Sequence, residues 1–290
     1  MIEVIAPGPY ATVQDLGRPG YGHLGVPCSG AADAPSLRLA NRLVGNPEDA
    51  AGIELTFGGA RLRFDAGAWV AITGAACPLE FVVRGTTVRQ GMHAPFWVPA
   101  GGELRVAIPP AGLRTYLAVR GGLETPVVLG SRSTDSLCGL GPPPLRAGTV
   151  LPVGPTRGLP PLTTDAVPPC PAREVLGVVA GPRDDWFVPG ALAGLCAEPY
   201  VVSQDSNRVG VRLSGARLER ARGEELPSEG VVTGAVQVPP DGQPIVFLAD
   251  HPPTGGYPVI AVLTSACLAA AAQLRPGDQV RFRLEHPVAR

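Results

Sequence analysis

The chain contains no lysine; its 24 basic residues are all arginine. A Walker-type phosphate loop, a Schiff-base nucleophile and a biotin-carrying side chain each need a lysine amine, so none of them resides in this polypeptide. Net charge is also lacking, at −1 for 290 residues. That removes the electrostatic footprint of a nucleic-acid or anionic-membrane binder. No run approaches the roughly 20 apolar residues of a membrane span. The start, Met1-Ile2-Glu3-Val4-Ile5, has neither the basic segment nor the apolar stretch of a signal peptide. A soluble, cytoplasmic protein is expected. The cysteines Cys28, Cys77, Cys138, Cys170, Cys196 and Cys267 show no C-x-x-C spacing, which argues against a zinc ribbon, a redox motif or a disulfide scaffold. They read as free and mostly buried thiols, Cys28 excepted because it lies in a Gly/Pro-rich loop beside Ser29. His23, His93, His251 and His286 have no metal-ligand spacing, so no metal site is expected, and the absence of G-x-S-x-G disfavours a serine hydrolase of the α/β type.

What the chain has in excess is glycine and proline, 38 and 34 residues. Within them a signature of five parts recurs in the same order. The first copy is Gln14-Asp15-Leu16-Gly17-Arg18-Pro19-Gly20, Pro27-Cys28-Ser29-Gly30, Pro109-Pro110-Ala111-Gly112, Arg120-Gly121-Gly122 and Leu145-Arg146-Ala147-Gly148. The second is Gln204-Asp205-Ser206-Asn207-Arg208-Val209-Gly210, Pro227-Ser228-Glu229-Gly230, Pro239-Pro240-Asp241-Gly242, Thr254-Gly255-Gly256 and Leu274-Arg275-Pro276-Gly277. Preserved order suggests two related modules, and the length suits two domains. Short apolar runs punctuated by Gly and Pro, such as 69–72, 104–108, 115–119, 245–249 and 280–284, read as strands. Residues 34–44, with Asp33 as N-cap, and the Ala-rich 268–274 read as helices. The expectation is a mainly β protein: module 1–155, enlarged by an insertion, module 173–290, and a Pro-rich linker at 156–172.

Candidate chemistry clusters at four places, with Arg120 as a further candidate outside them. Asp15 with Arg18, and Asp205 with Arg208, stand three apart in glycine-containing turns. Such groups can pair with each other, or the arginine can grip a carboxylate bidentately while the aspartate orients it or handles a proton. Ser29, Gly30 and Asp33 lead into the first helix, where backbone N–H groups suit an anion, although Asp33 equally serves as an ordinary cap. Asn41 lies further along that helix, and Arg120 opens the first Gly-Gly part. Asp250 begins a polar loop in which Thr254, Gly255, Gly256 and Tyr257 can shape a ligand pocket or merely make a turn.

Several longer strings resemble the biotin-dependent carboxyltransferase family. They are Thr12-Val13-Gln14-Asp15-Leu16-Gly17-Arg18-Pro19-Gly20-Tyr21, Gly25-Val26-Pro27-Cys28-Ser29-Gly30-Ala31-Ala32-Asp33, Asn41-Arg42-Leu43-Val44-Gly45-Asn46-Pro47, Leu129-Gly130-Ser131-Arg132-Ser133-Thr134-Asp135, Glu229-Gly230-Val231-Val232, Gln237-Val238-Pro239-Pro240-Asp241-Gly242-Gln243-Pro244 and Thr254-Gly255-Gly256-Tyr257-Pro258. The family includes the C-type component of 5-oxoprolinase, the KipI antagonist KipA and a segment of urea carboxylase. The resemblance implies tandem cyclophilin-like β-barrels and a KipI-like partner, the B-type component of 5-oxoprolinase. An A-type component joins them where ATP-dependent opening of 5-oxoproline is the activity. ATP would be shared with those partners. Biotin would enter only on a separate carrier, if the activity is carboxyl transfer, and a KipA-like role would be regulatory. On this resemblance Arg18 and Arg208 would hold an anionic group and Asp15 and Asp205 would orient ligand or shuttle protons. The chain departs from the family at 204–210, where Ser-Asp-Arg-Met-Gly is common, and at Val259, where many members carry lysine.

Overall fold

The computed structural model describes residues 1–162 and 174–285. Most of the expected linker, together with Cys170 and His286, lies outside the described residues. The chain divides into two compact units. The first comprises Met1–Arg18, Ser29–Asp135 and Gly139–Cys170; the second comprises Pro19–Cys28, Ser136–Cys138 and Pro171–Arg290. Two short pieces of the first half of the sequence are therefore built into the second unit.

The first unit holds two antiparallel sheets. The six-stranded sheet runs, edge to edge, through Val150–Leu151, Ile2–Ala6, Ala60–Phe64, Glu103–Val106, Leu79–Val83 and Thr86–Gln90. The five-stranded sheet runs through Tyr10–Gln14, Gly52–Thr56, Arg114–Val119, Ala68–Gly74 and Phe96–Val98. Strand Ala60–Phe64 alternates buried and exposed residues, the period-2 pattern of a strand with one wet face. Strand Arg114–Val119 is buried throughout. One face meets the other sheet through Leu117 and Val119, in a core with Ile2, Ile53, Ile72 and Leu104. The other face lies beneath helix α1 (Ala34–Leu43), whose Leu39, Ala40 and Leu43 pack on Ala71 and Ala118. Asp33 caps α1, accepting from the Ser36 amide at 3.1 Å, and Pro35 sits in its first turn.

In the second unit, seven strands close into a barrel in the order Val175–Ala180, Val259–Leu263, Ala235–Gln237, Ile245–Phe247, Gly210–Ser214, Tyr200–Val202 and Gln279–Leu284. Closure leaves no sheet edge exposed. Its interior includes Leu176, Tyr200, Leu213, Val246, Ile260 and Phe282. Two helices accompany it, α2 (Ala191–Ala197) and α3 (Ser265–Ala271). The sequence reading missed α2 and set α3 three residues late. Neither helix has a side-chain cap bond; the N-cap of α2 is Gly190 at φ 89°, and that of α3 is Thr264, a polar signal the sequence reading passed over. Among the described residues, no helix is long and apolar enough to cross a membrane.

The mainly β reading holds, and the duplicated signature is only partly mirrored in local geometry. In Pro-Pro-x-Gly, Gly112 and Gly242 take φ 73° and 76° in turns that join strands. In Leu-Arg-x-Gly, Gly148 and Gly277 take φ 83° and 90° just before a strand. The other parts diverge: Gly121 and Gly122 have positive φ, whereas Thr254–Gly255 is a short strand paired with Glu229–Gly230.

Candidate functional site

The two Asp/Arg turns are built differently. Asp15 follows strand Tyr10–Gln14 and is buried in a cage of donors. Its carboxylate accepts from Ser131 Oγ and Ser133 Oγ, both at 2.6 Å, the Arg132 amide at 2.6 Å and the Gly17 amide at 2.7 Å. Four donors on two oxygens hold loop 131–133 against the turn and leave the aspartate committed to structure. Arg18 does not pair with it. The guanidinium, 1% exposed, donates to the carbonyls of Ser133 and, at 3.3 Å, Val128, while Nη1 is enclosed without a partner among the described residues.

In the second unit Asp205 is exposed and Arg208 is buried. Arg208 places its fork on Asp250, Nε to Oδ2 at 2.9 Å and Nη2 to Oδ1 at 3.0 Å. Asp250 also accepts from the Ser136 amide at 3.0 Å and hydroxyl at 2.6 Å. Burial alone would raise the Asp250 pKa, but the Arg208 charge and the Arg208 and Ser136 hydrogen bonds prevail and lower it. The expectation that Arg208 grips an external carboxylate is revised: the carboxylate it grips is the chain's own.

The loop leading into α1 is also occupied from within. Ser29 and Gly30 take positive φ, 53° and 91°, and a Cβ on Gly30 would stand 2.8 Å from the Gly17 nitrogen. That approach requires glycine. The Ala31 amide donates to the Asp15 carbonyl at 2.9 Å, the Ala32 amide to Glu54 at 3.0 Å and the Asp33 amide to the Tyr116 hydroxyl at 2.8 Å. Tyr116 donates in turn to Glu54 at 2.8 Å, and Arg114 lies 3.4 Å from the same carboxylate. The anion received by this loop is Glu54. Burial and the nearby Glu54 and Asp33 charges push the Tyr116 phenol well up, keeping it protonated as a donor. Asn41 and Arg120, expected near ligand, bind main chain instead. Asn41 donates to the Ala50 carbonyl at 2.7 Å, and Arg120 donates to the carbonyls of Val44 and Pro160, both at 2.8 Å.

Sequence reasoning missed Glu54, Arg114 and Tyr116. A signal was present: Glu54 stands between Ile53 and Leu55 in a strand, and a charge inside such a run needs a buried partner. Ladder register supplies it by pairing Glu54 with Tyr116. Ser131 and Ser133 fall in a quoted string but carry no sequence mark of their role.

The Thr254 to Tyr257 segment is the candidate that opens on space. Gln237 Nε2 donates to the Tyr257 carbonyl at 2.8 Å, and a Cβ on Gly255 would come within 2.6 Å of that nitrogen. Arg183 pairs with Glu229 on the adjoining strand. Gly256 and Tyr257 line a cleft of about 1150 Å³ in the second unit, with Arg217, Arg220, Arg222 and Leu226 among the other walls. The Arg220 guanidinium lies 5.5 Å from the Tyr257 ring centroid and Arg222 lies 5.4 Å from that of Trp186. Cation–π contact fixes both guanidiniums on aromatic faces. Among the described residues, no group of three or more His, Cys, Asp or Glu is arranged to hold a metal ion.

Comparison with known proteins agrees with this architecture. Residues 24–284 match the model of the carboxyltransferase domain, subdomain A and B. The chain is 38% identical to the C component of 5-oxoprolinase from Escherichia coli (strain K12), over 97% of this chain and 90% of that protein. It is 36% identical to a urea amidolyase of Lachancea kluyveri, over 99% of this chain but 17% of that protein. The solved structure of Kluyveromyces lactis urea carboxylase superposes with a TM-score of 0.89 at 31% identity, over 97% of this chain and 27% of that one. With the fold, the paired strings and these matches in agreement, the chain belongs to the carboxyltransferase domain family of subdomains A and B.

Proposed function

We propose that the chain is the C-type component of an ATP-dependent 5-oxoprolinase, acting with a KipI-like B-type partner and an A-type partner on 5-oxoproline or a similar cyclic amide or ureido compound. The observation that carries this reading is the 38% identity to a 5-oxoprolinase C component, which extends over 90% of that protein's length. The match to urea amidolyases supports a second reading, carboxyl transfer from a biotin carried elsewhere to a urea-like acceptor.

Neither cofactor is at home in the residues present. The cleft carries three arginines and three glutamates, Arg217, Arg220, Arg222, Glu219, Glu224 and Glu225. A polyphosphate there would face as many anions as cations, so ATP does not fit and belongs with the partner proteins. Without lysine the chain carries no biotin of its own. In the proposed assembly the cleft beside Gly256 and Tyr257 receives the small substrate, and exposed Asp205 is the signature aspartate still accessible to exchange protons. Arg208 holds Asp250 within the same unit, and Asp15, Arg18 and the 29–33 loop are engaged by groups of the first unit.

Reconstitution tests the reading. The chain is co-purified with its B-type and A-type partners and assayed for 5-oxoproline-dependent ATP hydrolysis with glutamate formation. Glutamate in step with ADP supports the 5-oxoprolinase reading. A stable complex without glutamate, but with urea-dependent loss of carboxyl from carboxybiotin, replaces it with carboxyl transfer.

A further inference from the structure

The buried guanidiniums of Arg114 and Arg208 each face a buried carboxylate, Glu54 and Asp250. Arg18 is enclosed and directed at carbonyls. Arg220, like Arg18, has a guanidinium nitrogen enclosed without a partner and no carboxylate within ion-pair distance among the described residues, but it differs from all three in bordering open space. It borders the second-unit cleft, its Nη2 donates to the Val238 carbonyl, its Nε is enclosed without a partner, and no described residue places a carboxylate within ion-pair distance of it. Burial lowers its pKa despite the opposing influence of Tyr257 and Asp241. A partly desolvated cation held above an aromatic ring, beside open space and short of acceptors, is equipped to receive an anion.

The cleft also describes the anion. Matching numbers of arginine and glutamate in its walls disfavour a polyanion and suit one negative charge on a body that offers N–H donors. Gly256 has no side chain and Tyr257 is 44% exposed, so a flat molecule can lie along this segment. We propose that Arg220 anchors the carboxylate of a small, flat, amide-bearing monocarboxylate in this cleft. The proposal rests on the reading that the chain acts on a cyclic amide or ureido compound, and it assigns that compound's charged group to a residue outside the duplicated signature.

Calorimetric titration of the full chain tests it with three probes: 5-oxoproline, dihydroorotate, and 2-pyrrolidinone, which keeps the ring amide but lacks a carboxylate. The wild type is expected to bind at least one of the two carboxylates. Arg220→Gln, with an unchanged circular dichroism spectrum, should weaken that binding by about tenfold or more, the scale of one charge-assisted contact. Any binding of 2-pyrrolidinone should be indifferent to the substitution. Tyr257→Ser, on an exposed side chain, provides a second variant expected to weaken the same ligand. Equal carboxylate affinity in wild type and Arg220→Gln overturns the proposal, as does a wild type that binds neither carboxylate. Arg220-dependent binding without turnover in the assembled complex would leave the site standing and remove the proposed activity. Turnover indifferent to Arg220→Gln would do the reverse.

Discussion

Arg208 and Asp250 form the ion pair on which single substitutions should tell most. Both are buried and joined by two hydrogen bonds. Replacing Asp250 with alanine leaves a buried guanidinium without its carboxylate, a change that typically costs about 3–5 kcal/mol. A fall of that size in the urea-unfolding free energy of Asp250→Ala is expected, and a loss below about 1 kcal/mol, the scale of an exposed pair, would refute the assignment. The pair also sets an acid dependence. Because the folded pKa of Asp250 is lowered, its contribution is fully present above the unfolded carboxylate value of about 3.9 and is lost as pH falls through the folded value. Unfolding free energy should therefore drop less steeply below pH ~4 in Asp250→Asn than in the wild type. Thiol chemistry gives an independent check. Cys28 and Cys138 are exposed, whereas burial pushes the Cys77 thiol up to about 11 and Cys267 is buried. Iodoacetamide followed by peptide mapping should modify Cys28 and Cys138 well before Cys77 and Cys267; early labelling of Cys77 would contradict its placement.

At the scale of elements, the loop into α1 depends on backbone geometry that few substitutions preserve. Gly30 combines φ 91° with the close approach to Gly17, so Gly30→Ala should destabilise the first unit and loosen amide protection at Ala31 and Ala32. Asp33→Ala removes the α1 cap and should cost about 1 kcal/mol in a denaturant titration. Sequence showed this helix well because an N-cap, an early proline and an apolar face all point to one start. It showed α2 poorly because Gly190 at its cap marks no start, and set α3 late because the Ala-rich run after Thr264 has no sharp boundary. The strand runs were legible from their apolar clusters, while register was not, and register is what joins Glu54 to Tyr116. That hidden pairing explains why the anion expected at the loop is a side chain of the neighbouring strand.

For the whole molecule, the residue types in the duplicated signature were a sound guide to membership, and the contacts of several of them lie within the chain itself. Asp15, Arg18, Arg208 and Asp250 were visible because charged residues in glycine-rich turns are distinctive, and, the Gly17 amide apart, the partners described for their side chains lie 42 to 118 positions away in the chain, beyond any local reading. Arg220 left no such mark, since its setting depends on Tyr257 and Val238 arriving from other parts of the chain. The polar residues therefore divide into signature residues held largely by the chain's own groups, Arg18 Nη1 excepted, and a cleft in the second unit that opens on space. Amide chemical-shift mapping of the full chain during titration with 5-oxoproline tests that division most directly. Shifts concentrated at Arg220, Gly223, Gly256 and Tyr257, with the 29–33 amides unmoved, are expected. Shifts centred on Ser29, Gly30 and Arg18, with the Tyr257 segment silent, would contradict it.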